Sequence, residues 1–174
     1  QKIGAKTLYN YYKGFGFFDT TNSYFYGESN SVFFNENNIN EFNLATMSFG
    51  QRFTITPIQL ITAISAVANE GVLMQPRIVK EFKNTDTGAI TTVEPNVIRQ
   101  VISKETAESL MDMLESVVTD GTGRQAAVEG YSIGGKSGTS EPIAANIEEG
   151  YVASFISISP IENNVLSFIR ILSS

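Results

Sequence analysis

The chain of 174 residues contains no cysteine and no histidine. It therefore holds no disulfide, no thiolate or imidazole zinc site, and neither a Ser-His-Asp nor a Cys-His nucleophile pair. Lysine, carboxylates, hydroxyls and backbone amides are the working parts that remain. Basic residues are in the minority: twelve Lys and Arg stand against eighteen Asp and Glu, a formal net charge of -6. A broad electrostatic footprint for nucleic acid is not expected from that balance. No uninterrupted apolar run approaches the roughly 18 to 20 residues that cross a bilayer, and no basic segment followed by an apolar one marks a secretory leader. A chain that opens on Gln1 rather than Met is expected to be a piece of something longer.

What is present has the length of one domain, and its 42% hydrophobic content is enough for a sizeable core. In QKIGAKTLYNYYK, Ile3, Leu8, Tyr11 and Tyr12 recur at helical spacing before Gly14 and Gly16, which predicts a first helix over residues 1–13. Between Phe18 and Phe42 the chain is rich in Asn, Ser, Phe and Tyr without a period. A long loop with short strands is expected there, its aromatics packing it onto the body.

The next elements carry clearer punctuation. In TPIQLITAISAVANEG, Thr56 can cap, Pro57 sits where its missing N–H is harmless, and Gly71 supplies a left-handed stop, predicting a helix of about fourteen residues buried on most sides. Ser103 precedes KETAESLMDMLESVVTDG, where Ala107, Leu110, Met111, Leu114, Val117 and Val118 share one face and Gly121 closes the pattern. YVASFISIS (Tyr151 to Ser159) and VLSFIRIL (Val165 to Leu172) are β-rich runs joined by PIENN, an antiparallel pair. Strands this apolar call for cover on both faces, which the two amphipathic helices are expected to supply. The fold class is α+β, an antiparallel sheet flanked by helices.

Just upstream of that hairpin, GYSIGGKSGTSEP (Gly130 to Pro142) sets one lysine among glycines and small hydroxyl residues. Two readings fit. Gly130 to Ser137 matches G-x-x-x-x-G-K-[ST], the phosphate loop, which needs a helix starting at its Lys-Ser end. Gly138 and Pro142 oppose such a helix. In the second reading Ile133 to Ser140 is an edge strand with Lys136 projecting into a cleft, and the glycines let a ligand backbone approach and pair. A cation there attracts a carboxylate, with a Coulomb term of about 4 kcal/mol at about 4 Å and an effective dielectric near 20, before desolvation.

Lys136-Ser137-Gly138-Thr139 resembles the Lys-Thr/Ser-Gly-Thr motif of penicillin-binding proteins, the serine transpeptidases that cross-link bacterial peptidoglycan. Its company strengthens the likeness: Gly121-Thr-Gly123, Ala126 and Gly130-Tyr131 before the motif, and far upstream ATMSFGQ (Ala45 to Gln51) running into TPIQL and ANEGVLMQPRIV. Those blocks occur in that order in the class B, monofunctional members of division and sporulation. The resemblance covers residues 1–17 and 44 to about 160; positions 18–43 match poorly, with Gly27-Glu28 the only hint. It implies a β-lactamase/transpeptidase-like fold of which residues 1–174 are the C-terminal portion of one domain, the N-terminal part being absent.

The family brings three motifs into one groove: Ser-x-x-Lys with the acylated serine, Ser-x-Asn or a variant, and the lysine strand. Neither of the first two occurs in this chain. The resemblance therefore implies half of an active site, inactive alone, completed by the N-terminal remainder of the same domain. Lys136 and Ser137 would hold the ligand carboxylate and help relay protons; Gly138 would keep the strand open to the D-Ala-D-Ala stem peptide; the Thr139 N–H would be an oxyanion donor and its hydroxyl a further carboxylate contact. Ser140 is a substrate-binding candidate beside Glu141. The implied parent is a D,D-transpeptidase that β-lactams acylate, with no metal or cofactor, outside the plasma membrane and held there by an N-terminal anchor not in this sequence. A β-lactamase-like hydrolase or β-lactam sensor, and a non-catalytic module of the same fold, remain the alternatives. Met47 and Phe49 of the MSFGQ block are expected in the core, as support close to the site.

Overall fold

The computed structural model describes residues 2–33, 35, 39–140, 151–161 and 166–173. The first helix, α1, runs Ala5–Gly14 and buries no residue fully. Its Tyr12 instead stands among Phe17, Phe33 and Phe53, ring centroids 5.3 to 5.9 Å away, and donates its hydroxyl to Met47 O at 2.6 Å. Burial pushes this phenol above its ordinary pKa. The aromatic-rich loop thus divides: Phe18 and Phe33 stack on Tyr9 and Phe53, whereas Tyr24, Phe25 and Tyr26 are exposed, the last completely at 101%. Of the exposed rings, Tyr24 still meets the Phe82 ring edge-on at 6.0 Å.

A short helix that the loop composition hid, α2 (Glu41–Met47), begins where the Asn40 side chain accepts from Asn43 N at 2.8 Å. Helix α3 (Pro57–Ala68) starts as expected from Thr56, as a capping box closed by Gln59. Gln59 is also buried and ties down the preceding loop, its Nε2 donating to Phe17 O and Asp19 O at 3.3 and 2.9 Å. The helix is 12 residues long, shorter than expected, because the chain already turns at Glu70 and Gly71, with φ of 54° and 83°. At Gly71 a Cβ would lie 2.1 Å from Ile102 O, so the position accepts glycine alone.

Strand β1 (Val72–Met74) leaves that turn, β2 (Glu81–Lys83) and β3 (Ile90–Thr92) form an exposed hairpin, and β4 (Val97–Gln100) returns antiparallel to β1. Helix α4 (Lys104–Thr119) begins at Ser103, whose Oγ accepts from Thr106 N at 3.3 Å. A 3₁₀ turn at Arg124–Ala126 leads to β5 (Gly134–Ser140), β6 (Val152–Ser159) and β7 (Leu166–Ser173). These last three make one antiparallel sheet in the order β5-β6-β7. The antiparallel hairpin read from the two apolar runs is therefore present, and β5 is a margin of its sheet among the described residues.

Helices flank this sheet as expected, but both cover the same face and neither supplies the second. Val67 and Ala68 of α3, Met111 of α4 and Ile158 of β6 form one buried cluster, so both helices lie on the face that carries Ile158. By register that face also holds Ile156, Ile169, Gly134, Lys136 and Gly138. The opposite face holds Phe155, Ser137 and Thr139, with Phe168 and Leu172 exposed at 54% and 53%. Among the described residues nothing covers it. Alternation told which residues share a face, and only the non-local packing of α3 beside α4 decided which face they take.

Candidate active site on the sheet margin

The letters of the phosphate-loop reading fall on a strand: Gly134 to Ser140 is β5, with no helix starting at Lys136-Ser137. That removes the dipole on which the reading depends. The strand begins one residue later than the expected Ile133, and Ser132 fixes the entry by accepting from Ile161 N at 3.1 Å.

The glycines of the stretch are needed for different reasons. A Cβ on Gly134 would lie 2.5 Å from Ile161 Cδ1 and 3.1 Å from Leu114 Cβ, and one on Gly135 would lie 2.7 Å from the Phe155 ring. Both are buried, so they serve the packing of this chain and not the approach of a ligand backbone, which corrects that part of the sequence reading. Gly138 is exposed, and its Cβ would meet only the rotatable Ser154 Oγ, at 2.7 Å. It alone remains a candidate for ligand access.

Lys136, opposite Ile156, is exposed. Its stem leaves from the helix-covered face, and the ammonium comes back around the strand to donate to Ser137 O at 2.7 Å. Ser137 and Thr139, opposite Phe155 and Ala153, place both hydroxyls on the open face. Ser140, opposite Val152, is exposed at the end of the strand, and Glu141 and Pro142 lie outside the described residues. Among the described residues the one ion pair is Lys104–Glu70, and no described carboxylate pairs with Lys136.

Carbonyl directions identify the free side of the strand. Gly138 O receives the Ser154 hydroxyl from β6 at 3.5 Å. Ser137 O and Thr139 O, one residue to either side, accept from Lys136 Nζ and from Gln51 Nε2, the latter at 3.3 Å. Because the N–H and C=O of one residue in an antiparallel strand point to the same side, and neighbours point oppositely, Ser137 and Thr139 direct both backbone groups away from β6. The Thr139 N–H is thus aimed off the sheet, where an oxyanion can receive it.

Gln51 is the residue that sequence reasoning left without a role, although the block holding it was singled out. Within that block Met47 is fully buried, as expected, while Phe49 is 68% exposed and is not core. The expected cleft is one-sided in this chain. Clefts of about 740 and 460 Å³ exist elsewhere, the larger between Phe18, Thr21, Gln59, Leu73 and Arg99, and neither is lined by any residue of β5.

Comparison with known proteins decides the family. The model of the penicillin binding protein transpeptidase domain matches residues 1–174. The chain belongs to the penicillin-binding protein transpeptidase family. The bounds of the match enclose residues 18–43, the stretch that the sequence blocks left out. Stage V sporulation protein D of Bacillus subtilis is 37% identical over 166 residues, 94% of this chain and 26% of that protein. Penicillin-binding protein PbpB of Mycolicibacterium smegmatis is 35% identical over 175 residues, 94% of this chain and 27% of that protein. A crystal structure of penicillin binding protein 3 from Mycobacterium tuberculosis complexed with aztreonam superposes with a TM-score of 0.90 at 29% identity, covering 100% of this chain and 41% of that one. The class B likeness and the mixed helix-and-sheet fold are borne out, and this chain spans about a quarter of the length of these curated relatives.

Proposed function

We propose that residues 1–174 are the C-terminal portion of a transpeptidase domain whose parent is a peptidoglycan D,D-transpeptidase, and that β5 is the substrate-binding wall of its active site. The observation that carries this reading is the open margin of β5, with the Thr139 N–H turned off the sheet and Lys136 reaching round to the same edge. A stem peptide ending in D-Ala-D-Ala adds along such an edge by main-chain pairing. Its terminal carboxylate meets the Lys136 ammonium and the hydroxyls of Ser137 and Thr139. Gly138 leaves the approach open, and Ser140 extends the contact.

In the acyl-transfer step a serine from the remainder of the domain attacks the penultimate carbonyl, and the Thr139 N–H donates to the developing oxyanion. One such donor is worth about 2.7 to 4 kcal/mol of transition-state stabilisation. Terminal D-alanine leaves, and an amine of a neighbouring stem peptide takes the acyl group. β-Lactams enter by the same first step; the M. tuberculosis relative is complexed with aztreonam in one structure and ampicillin in another, which supports the extension to this chain. The nucleophile lies outside these residues, so the isolated chain is inactive. The site then works on the outer side of the plasma membrane, where its substrate is, and any membrane anchor belongs to the rest of the parent.

Fluorescent penicillin tests the reading. The full-length parent is expected to be labelled, and Lys136→Ala to lower the rate of labelling by about 30-fold or more, the cost of removing one partner from a desolvated charge pair. The 174-residue chain alone is expected to stay dark on a denaturing gel. A labelled band of that size, or undiminished labelling of Lys136→Ala, overturns the assignment.

A further inference from the structure

The residue that touches Thr139 from outside the strand carries a consequence for ligand choice. Helix α2 ends with Gln51 N bonded to Thr46 O at 3.1 Å and Gly50 N to Met47 O at 3.0 Å, with Gly50 at φ 88°. This is a Schellman ending, with glycine at its left-handed position. Arg52 is left-handed as well, at φ 69°, with its guanidinium 4.5 Å above the Phe42 ring. The base of the turn is fixed, since Met47 is fully buried and its carbonyl accepts the Tyr12 hydroxyl. Gln51 is thereby presented from a rigid turn, and its Nε2 donates to Thr139 O.

Thr139 O is half of what the open edge offers. A peptide adding to β5 pairs with both backbone groups of Thr139: an acyl oxygen takes the N–H, and an amide N–H of the ligand takes the C=O. The Gln51 carboxamide is a donor of the same chemical kind as that ligand amide, and it already sits on the shared acceptor. At 3.3 Å its bond is long and exposed, so it can be exchanged.

We propose that Gln51 is a specificity-determining residue: its side-chain amide competes with the acyl donor's amide N–H for Thr139 O. Donors that need that oxygen displace Gln51, and donors without the amide do not. This inference rests on the substrate-wall reading of β5 given above.

The test uses the full-length parent and two β-lactams, benzylpenicillin, whose acylamino N–H can reach Thr139 O, and a carbapenem, which has no acylamino group. Second-order acylation rate constants are measured for wild type, Gln51→Ala and Gln51→Met, which keeps the length of the side chain, stays uncharged and loses the donor. Gln51→Ala and the donor-free Gln51→Met are both expected to raise the benzylpenicillin constant about two- to tenfold, the range that one modest hydrogen bond carries, and to leave the carbapenem constant within about twofold. Melting temperatures matching wild type qualify either variant, and Gln51→Met decides where Gln51→Ala does not fold. An equal fall for both ligands overturns the proposal by showing that Gln51 holds the strand, and an unchanged benzylpenicillin constant overturns it by showing no competition. A wild-type parent that neither ligand acylates refutes the substrate-wall reading itself, and the proposal with it.

Discussion

The two faces of the β5-β6-β7 sheet are built from similar residues and have opposite fates. On one, Ile156 and Ile158 are buried beneath α3 and α4. On the other, Phe168 and Leu172 of β7 stay more than half exposed, on the face that also carries the hydroxyls of Ser137 and Thr139 across β6. Apolar residues on both sides of a strand therefore mark what a surface can bury and leave open whether this chain supplies the cover. The covered face holds the chain's own core. The open face and the β5 margin carry groups whose partners are not among the described residues.

The largest expected effect breaks this comparison if the two faces are alike after all. Ile158→Ala removes a fully buried side chain from the α3–α4 cluster and should lower domain stability by about 2 to 5 kcal/mol. Phe168→Ser, at the other face, should change the stability of the isolated chain by no more than about 0.5 kcal/mol and reduce its binding of a hydrophobic dye. Thermal melts of both variants decide it. Equal losses would mean that Phe168 is as deeply packed as Ile158.

Exposure and tightness are separate properties, and Gly135 sharpens that point. Its position on the open face is closed from within the sheet by the Phe155 ring and by Ile156 O, which a Cβ would approach to 2.7 and 2.8 Å. Gly135→Val should cost about 1 to 3 kcal/mol by overpacking, read as a lower denaturation midpoint. A neutral result would show that Phe155 can swing away and that the open face is loose throughout.

Much of this arrangement was legible because it is governed by neighbours in sequence. Thr56, Pro57 and Gly71 bracket α3, Ser103 opens α4, and two β-rich runs joined by a short link pair as a hairpin. What could not be read depends on distance along the chain. The cap at Asn40 lies inside a stretch whose composition says loop, and α2 is only seven residues long, too short for a period to show. The β1–β4 pairing joins strands separated by the whole β2–β3 hairpin. At the site, the lysine motif gave the strand, its margin and the hydroxyls on one face, since alternation fixes these. The Gln51 contact crosses 88 residues, and nothing in the local pattern signals it.

The smallest stability effect bears most directly on function, because it separates the two uses of glycine along β5. Gly138 lacks the left-handed backbone of Gly71 and can accept alanine at its Cα, with only the Ser154 hydroxyl in the way. Strand alanine is worth roughly 0.5 to 1 kcal/mol over glycine, which the contact with Ser154 offsets, so Gly138→Ala should melt close to wild type. Adding Ser154→Ala removes the contact, and the double variant should gain about that 0.5 to 1 kcal/mol, a coupling that a double-mutant cycle reads directly. Acylation by fluorescent penicillin in the full-length parent then assigns the glycine. If Gly138 serves the ligand, labelling falls in the single variant and stays low in the double. If labelling returns with Ser154→Ala, Gly138 serves the sheet, as Gly134 and Gly135 do, and the ligand-facing part of the margin contracts to Lys136, Ser137, Thr139 and Ser140.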